Sequence, residues 1–111
     1  MTLKLCQYWL EDYLKEANAL AQSGNLSKAI DIYLEAINIY PNYSQARFNL
    51  GIVYKKAGEY DNAIRVFTEF IEMDSFNQMV SVAKKNIKEL KHLKIDTELG
   101  DEDKELDDLN G

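Results

Sequence analysis

Residues 49–64 read NLGIVYKKAGEYDNAI, and the two glycines in this stretch have different reasons to be there. Gly58 stands just before Glu59-Tyr60-Asp61, where a turn is expected. Gly51 stands inside a segment with an otherwise helical pattern, where glycine costs about 1 kcal/mol relative to alanine. Its explanation lies in an earlier copy of the same pattern. Gly24-Asn25-Leu26-Ser27-Lys28-Ala29-Ile30 recurs as Gly58-Glu59-Tyr60-Asp61-Asn62-Ala63-Ile64, and the same offset pairs Ala17 with Gly51, Leu20 with Tyr54 and Tyr33 with Phe67. Self-similarity at this period marks a stack of like supersecondary units. Position 51 is thus a place that takes a small side chain in both copies.

Helical spacing explains the demand for a small residue. Leu10, Tyr13, Ala17 and Leu20 form one apolar stripe, and Leu50, Val53, Tyr54 and Ala57 form the next. The following segments carry Ala29, Ile32, Tyr33, Ala36 and Ile37, then Ala63, Val66, Phe67, Phe70 and Ile71. Two antiparallel helices joined by a short turn approach closely where a small residue lies at the crossing, and a large aromatic fills the space beside it. Gly24 and Gly58 are placed to end helices with a left-handed backbone. Pro41 cannot continue the second helix. Ser44 is expected to cap the third, with Tyr43 and Phe48 as a hydrophobic staple. Beyond residue 77, Val80, Ala83, Ile87 and Leu90 keep the stripe, but Lys85 takes the place of Ala17 and Gly51. Lys84 and Lys88 match Leu50 and Tyr54. A lysine does not lie beneath a close helix crossing, so this last helix is expected to be a solvating cap. Leu3 and Cys6 extend the first stripe backwards.

Tyr13, Ala17, Leu20, Ala29, Tyr33, Ala36 and Pro41 in the first unit, with Leu50, Gly51, Tyr54, Ala63 and Phe67 in the second, resemble the tetratricopeptide repeat (TPR) family over residues 10–77. Glu16 stands where that pattern usually has leucine, Phe70 where it has alanine and Ser75 where it has proline. The resemblance implies an all-α fold, a right-handed α-solenoid of antiparallel helix pairs. The expected organisation is a repeat domain over residues 1–95, with repeat one at 10–43, repeat two at 44–77 and a capping helix at 78–95. A disordered acidic tail at 96–111 follows.

Charge supports that division. The net charge of −6 is uneven: residues 96–111, DTELGDEDKELDDLNG, carry −7 and the rest +1. With three leucines and no aromatic, the tail buries too little surface to offset its ordering entropy. The chain has 111 residues, enough for one small domain. Cys6 is the one cysteine, so no internal disulfide forms and a reducing, cytoplasmic setting is expected. Glu11 and Asp12 interrupt the start where a secretory apolar region would continue, and no run is apolar enough to span a membrane.

No catalytic constellation is present in the sequence, and an enzyme is not expected. His92, flanked by Lys91 and Lys94, reads as a solvated histidine, and Cys6 as a small apolar residue without an orienting base nearby. The glycine turns lack phosphate-loop spacing, and the acidic run lacks calcium-loop spacing, so no cofactor or metal is expected. Lys84, Lys85, Lys88, Lys91 and Lys94 form a basic face, but the adjacent acidic tail competes with nucleic acid for it. No membrane or nucleic-acid partner is expected.

What remains is a binding surface. The first helix of each stacked pair lines the concave side. The family's groove-lining places fall on Leu14, Asn18, Ala21 and Gln22, then Gln45, Phe48, Asn49, Ile52, Lys55 and Lys56, then Met79, Val82 and Asn86. Phe48, Ile52, Met79 and Val82 lie about a quarter turn from the core stripe, and exposed apolar residues clustered in this way mark a partner site. In many relatives an asparagine-and-lysine clamp takes the acidic end of heat-shock chaperones. Asn18 and Asn49 match its asparagines, but its basic places fall on Leu14, Met79 and Ala83, so that ligand is rejected. The function implied is a non-catalytic interaction module or adaptor that binds a largely apolar peptide segment of another protein in its groove. Two alternatives stand beside it. One is a homo-oligomerising scaffold joined through Leu5 and Trp9, and the other an acidic-tailed, chaperone-like protein that shields a basic partner.

Overall fold

The computed structural model describes the backbone of residues 2–110 and the side chains of residues 9–95. Five helices follow one another: α1 Thr2–Gln22, α2 Leu26–Ile39, α3 Ser44–Lys56, α4 Tyr60–Met73 and α5 Val80–Asn110. No strand occurs among the described residues. Each helix packs on the next, and α1 also touches α3, so α1 and α3 lie side by side over α2 and α4.

Both repeats turn in the same way. Gly24 and Gly58 have φ of +92° and +79°, the left-handed region that glycine enters without strain. Asn25 N donates to Leu20 O (2.8 Å) and Gly24 N to Ala21 O (3.1 Å); at the equivalent places in the second repeat, Glu59 N donates to Tyr54 O (2.9 Å) and Gly58 N to Lys55 O (3.1 Å). This paired bonding satisfies carbonyls that a helix end leaves open. The connection from one repeat to the next recurs as well. Tyr43 N to Tyr40 O (3.1 Å) and Ala46 N to Tyr43 O (3.3 Å) reappear as Asn77 N to Asp74 O and Val80 N to Asn77 O, both 3.0 Å. The connection into α5 therefore repeats the one into α3, as expected of the first helix of a further unit.

The core lies along the crossings. Tyr33 and Phe67 are fully buried, each beside a buried small residue, Ala17 and Gly51 respectively. A Cβ added at Gly51 would come within 2.7 Å of Cε1 and Cζ of Phe67 and 2.9 Å of Cδ1. The glycine is there because the aromatic ring of α4 occupies the volume of a side chain on α3. Lys85, the third residue of this series, is exposed, and no helix crosses there.

Two sequence expectations change. Ser44 is the first residue of α3 rather than its cap, and Tyr43 precedes it without a side-chain capping bond. The Ser44 hydroxyl instead donates to Asp74 Oδ2 (2.8 Å), the same oxygen that accepts from Asn77 Nδ2 (2.9 Å). Asn77 Oδ1 in turn accepts from Met79 N (2.8 Å), so Asp74 joins the start of α3 to the turn that leads into α5. Second, the cap begins at Val80 and not at 78. The backbone of α5 runs to Asn110, and the expectation of a disordered acidic tail falls on residues 96–111. The side chains of residues 96–111 lie outside the described residues, as do those of Leu3, Leu5 and Cys6.

The crossing generates a double-mutant test. Gly51→Ala gains about 1 kcal/mol of helix propensity, yet overpacking against a buried ring costs about 1–3 kcal/mol, so a net loss of stability is expected. Gly51→Leu is expected to lose more, and Lys85→Leu to change little. Phe67→Leu should make Gly51→Ala less harmful, and chemical denaturation of the four-membered cycle measures this coupling. Asp74 yields a pH dependence. The Asn77 and then the Ser44 hydrogen bonds hold its carboxyl below the usual carboxylate value. A folded pKa below the unfolded one stabilises the protein above about pH 4, and that stability is lost as pH falls further. Asp74→Asn is expected to lower the melting temperature at pH 6, with the difference from wild type shrinking between about pH 5 and pH 3.

Candidate functional site

A cleft of ≈ 200 Å³ opens between α1 and α3, lined by Asn18, Ala21, Gln22, Asn49, Ile52, Val53 and Lys56. All but Val53 were expected as groove residues from the sequence. Val53 belongs to the core stripe, at 3% exposure, and forms the apolar floor.

The polar chemistry of the cleft is set from below. The Tyr33 hydroxyl, on α2, donates to Asn18 Oδ1. Burial pushes this hydroxyl up to about 12, and the neighbouring Asn49 amide offsets only part of the shift. Tyr33 therefore stays protonated and remains a donor at any physiological pH. Gln45 Nε2 donates to Asn49 Oδ1 (2.9 Å). Asn49 thus spends its oxygen on Gln45 and its amide nitrogen on the Tyr33 hydroxyl, while Asn18 spends its oxygen on Tyr33 and keeps its amide nitrogen to offer a ligand. With the exposed Lys56 ammonium at the edge, the cleft presents donors around an apolar patch of Ile52, Val53 and Ala21.

The remaining expected groove residues are placed otherwise. Phe48, expected to be exposed, is 7% exposed and packs on Phe67 (centroids 5.7 Å, interplanar angle 71°) and Phe70 (5.3 Å, 56°). The cause is Phe70, the second-repeat counterpart of Ala36: the larger ring supplies the surface that Phe48 covers. Leu14, the counterpart of Phe48, is likewise buried. Asn86 is buried too. Its Nδ2 donates to Val82 O (2.9 Å) and its Oδ1 accepts from Lys55 Nζ (2.8 Å). Lys55 also pairs with Glu89 at 2.9 Å, and this bond holds the Glu89 carboxyl below its usual value. Lys55 thus clamps α3 to α5. Met79 is partly buried against the core and Val82 is exposed, and neither lines the cleft.

Outside the cleft, Trp9 is half-exposed and leans on Tyr13 (centroids 4.4 Å), whose hydroxyl donates to Glu35 (3.3 Å). A second hollow, of ≈ 390 Å³, was not foreseen; it lies among Pro41, Asn42, Arg47, Glu69, Glu72 and Met73. Arg47 donates to Pro41 O, and Arg47 and Arg65 approach Glu69 at 3.7 and 3.5 Å. Its arginine is therefore occupied in joining α3, α4 and the turn. No group of three or more His, Cys, Asp or Glu side chains among the described residues is arranged to hold a metal ion. No helix among them is long and apolar enough to cross a membrane.

Comparison with known proteins agrees with this geometry. Residues 17–58 match the family model described as TPR repeat, and residues 46–75 match the one described as tetratricopeptide repeat. A solution NMR structure of a tetratricopeptide repeat domain protein from Salinibacter ruber is similar in fold, with 22% identity, a TM-score of 0.65 and coverage of 72% of this chain and 84% of that one. A crystal structure of a tetratricopeptide repeat domain protein from the same organism also has 22% identity, with a TM-score of 0.56 and coverage of 80% and 96%. No curated protein matches the chain.

The burial of Phe48 turns it from a binding residue into a stability determinant. Phe48→Ala is expected to cost about 3–5 kcal/mol, since it empties a site between two other rings. Phe48→Glu should prevent folding. Circular dichroism melts check both, and a Phe48→Glu protein with wild-type helicity would contradict the packing.

Proposed function

Since the chain belongs to the tetratricopeptide repeat family, we propose that it is a non-catalytic adaptor whose α1–α3 cleft binds a segment of a partner protein. The single observation that carries this reading is the donor character of the cleft. Asn18 spends its oxygen on Tyr33, so its amide nitrogen remains for a carbonyl group of a ligand, with Gln22 and the Lys56 ammonium as further donors. An extended peptide supplies such carbonyls along its backbone, whatever its sequence. Ile52 and Ala21 then favour an apolar side chain beside that carbonyl, and Lys56 favours a carboxylate at one end. An acidic peptide terminus gripped by several cations does not fit: Leu14 and Ala83 are buried and Met79 is uncharged. Lys55, also expected in the groove from the sequence, is committed to Asn86 and Glu89.

Peptide display against the intact chain, followed by NMR titration of the selected peptides, tests the assignment. Shifts are expected at Asn18, Asn49, Ile52 and Lys56. Asn18→Ala, made together with Tyr33→Phe so that no buried hydroxyl loses its acceptor, is expected to weaken binding about fivefold relative to Tyr33→Phe alone, the worth of one hydrogen bond of about 1 kcal/mol. Ile52→Glu should weaken it more than tenfold, with the melting temperature close to wild type, because Ile52 is only half-buried. Shifts confined to Trp9 or to the Arg47 hollow would place the binding surface elsewhere.

A further inference from the structure

The row of helices ends on two open faces of unlike charge. Ala46, Leu50 and Val53 form a buried stripe on α3, which has a helix on either side. The same places on α1, one repeat earlier, are Asp12, Glu16 and Ala19, and all three are exposed. Helix α1 is the first of the row and has no neighbour on that side among the described residues. Trp9 continues the stripe by helical spacing; it is half-exposed and packs on Tyr13, whose hydroxyl donates to Glu35. The first face thus combines an aromatic surface with the carboxylates of Asp12 and Glu16, and Glu35 stands beside it. Lys15 lies about a quarter turn round the helix from this stripe.

The last face is its opposite. Ala83, Ile87 and Leu90 pack into the core, and Asn86 meets Lys55 of α3. The other side of α5 holds Ser81, Lys85, Lys88 and His92, with Lys84 and Lys91 along one edge, and all six are exposed. Glu89 is the one carboxylate between Val80 and Ile95, and Lys55 already holds it at 2.9 Å. Lys84, Lys88 and Lys91 form no ion pair among the described residues, and neither do Asp12 and Glu16. An apolar helix laid on either face would bury unpaired charge, which is costly. Each face suits a surface of the other sign, and the chain carries that surface at its own far end.

We propose that copies of the chain join head to tail, with α1 of one copy seated on the outer face of α5 of the next. Asp12 and Glu16 stand about one turn apart, the same spacing as Lys84 and Lys88, so two ion pairs can form along the contact. The neighbouring lysines then have the Trp9 ring to lie against, and its face attracts cations. The two faces lie at opposite ends of the row. A pair of copies therefore leaves one face of each kind open, and the assembly grows by adding further copies. Exposed ion pairs are individually weak and screened by salt, so the association is reversible and salt-sensitive.

Sedimentation velocity on the full chain tests this at about 20 mM and about 500 mM salt, between which the screening length falls several-fold. At low salt the mean mass is expected to rise with protein concentration past the twofold value, and at high salt to fall to that of a single chain. The Asp12→Lys/Glu16→Lys and Lys84→Glu/Lys88→Glu/Lys91→Glu variants should each give the single-chain mass at low salt, because their two ends no longer differ in sign. Mixing them should restore the larger masses, since each face then meets its opposite on the other variant. Every substituted position is exposed, so wild-type helicity by circular dichroism is expected for both. Asp12→Asn/Glu16→Gln gives the same reading by neutralisation if reversed charge disturbs the fold. A single-chain mass for the wild type at low salt and high concentration overturns the proposal. A mass that halts at twofold also overturns it, by marking a closed pair. Association that persists in the Asp12→Lys/Glu16→Lys variant would assign the lysine face to another acidic segment, and a mixture that fails to associate would deny that the ends meet; either result sinks the idea.

Discussion

The contact of the Phe67 ring with the bare backbone at Gly51 sets the spacing of α3 and α4, and much of the molecule follows from it. The ring lies less than 3 Å from where a Cβ would stand, so the helices approach as closely as their backbones permit. At that distance the ring is fully buried, and its neighbour Phe48 finds an aromatic surface to cover. The equivalent pair in the first repeat is Tyr33 beside Ala17, and there the aromatic carries a hydroxyl. That oxygen could not be buried without a partner, since an unsatisfied polar group inside a protein costs several kcal/mol in the least favourable case. Asn18 supplies the acceptor. A packing requirement in one repeat thus becomes, in the other, the reason the cleft has donors to offer.

Charged residues divide between fastening and display. Lys55 and Lys56 are adjacent in sequence, yet Lys55 ties α3 to Asn86 and Glu89 of α5 while Lys56 stays exposed at the cleft edge. Arg47 likewise fastens the turn at Pro41 to α4. Ser44 and Asp74 do the same for successive turns, where the usual proline is replaced by Ser75 and a hydrogen-bonded carboxylate holds the turn instead. Such contacts fix how one unit sits on the next.

The repeat period, the five helices and the turns at Gly24 and Gly58 were all legible in the sequence, because each rests on local spacing that recurs in phase. The small-beside-aromatic crossing was legible for the same reason. Within the site, Asn18, Gln22, Asn49, Ile52 and Lys56 were legible as one face of two helices. Burial at positions between faces was not. Phe48 lies a quarter turn from the core stripe, and only the size of Phe70 on the neighbouring helix decides that it is covered. Asn86 and Lys55 resemble surface residues by type, and become a junction only because α5 sits beside α3. The orientation of the Asn18 and Asn49 amides depends on Tyr33, on the neighbouring helix, and on Gln45. Periodicity is a property of a single helix and survives in the sequence; which side chains share a volume, and which way a buried hydroxyl turns its neighbours, belongs to pairs of helices and exists only once they have packed.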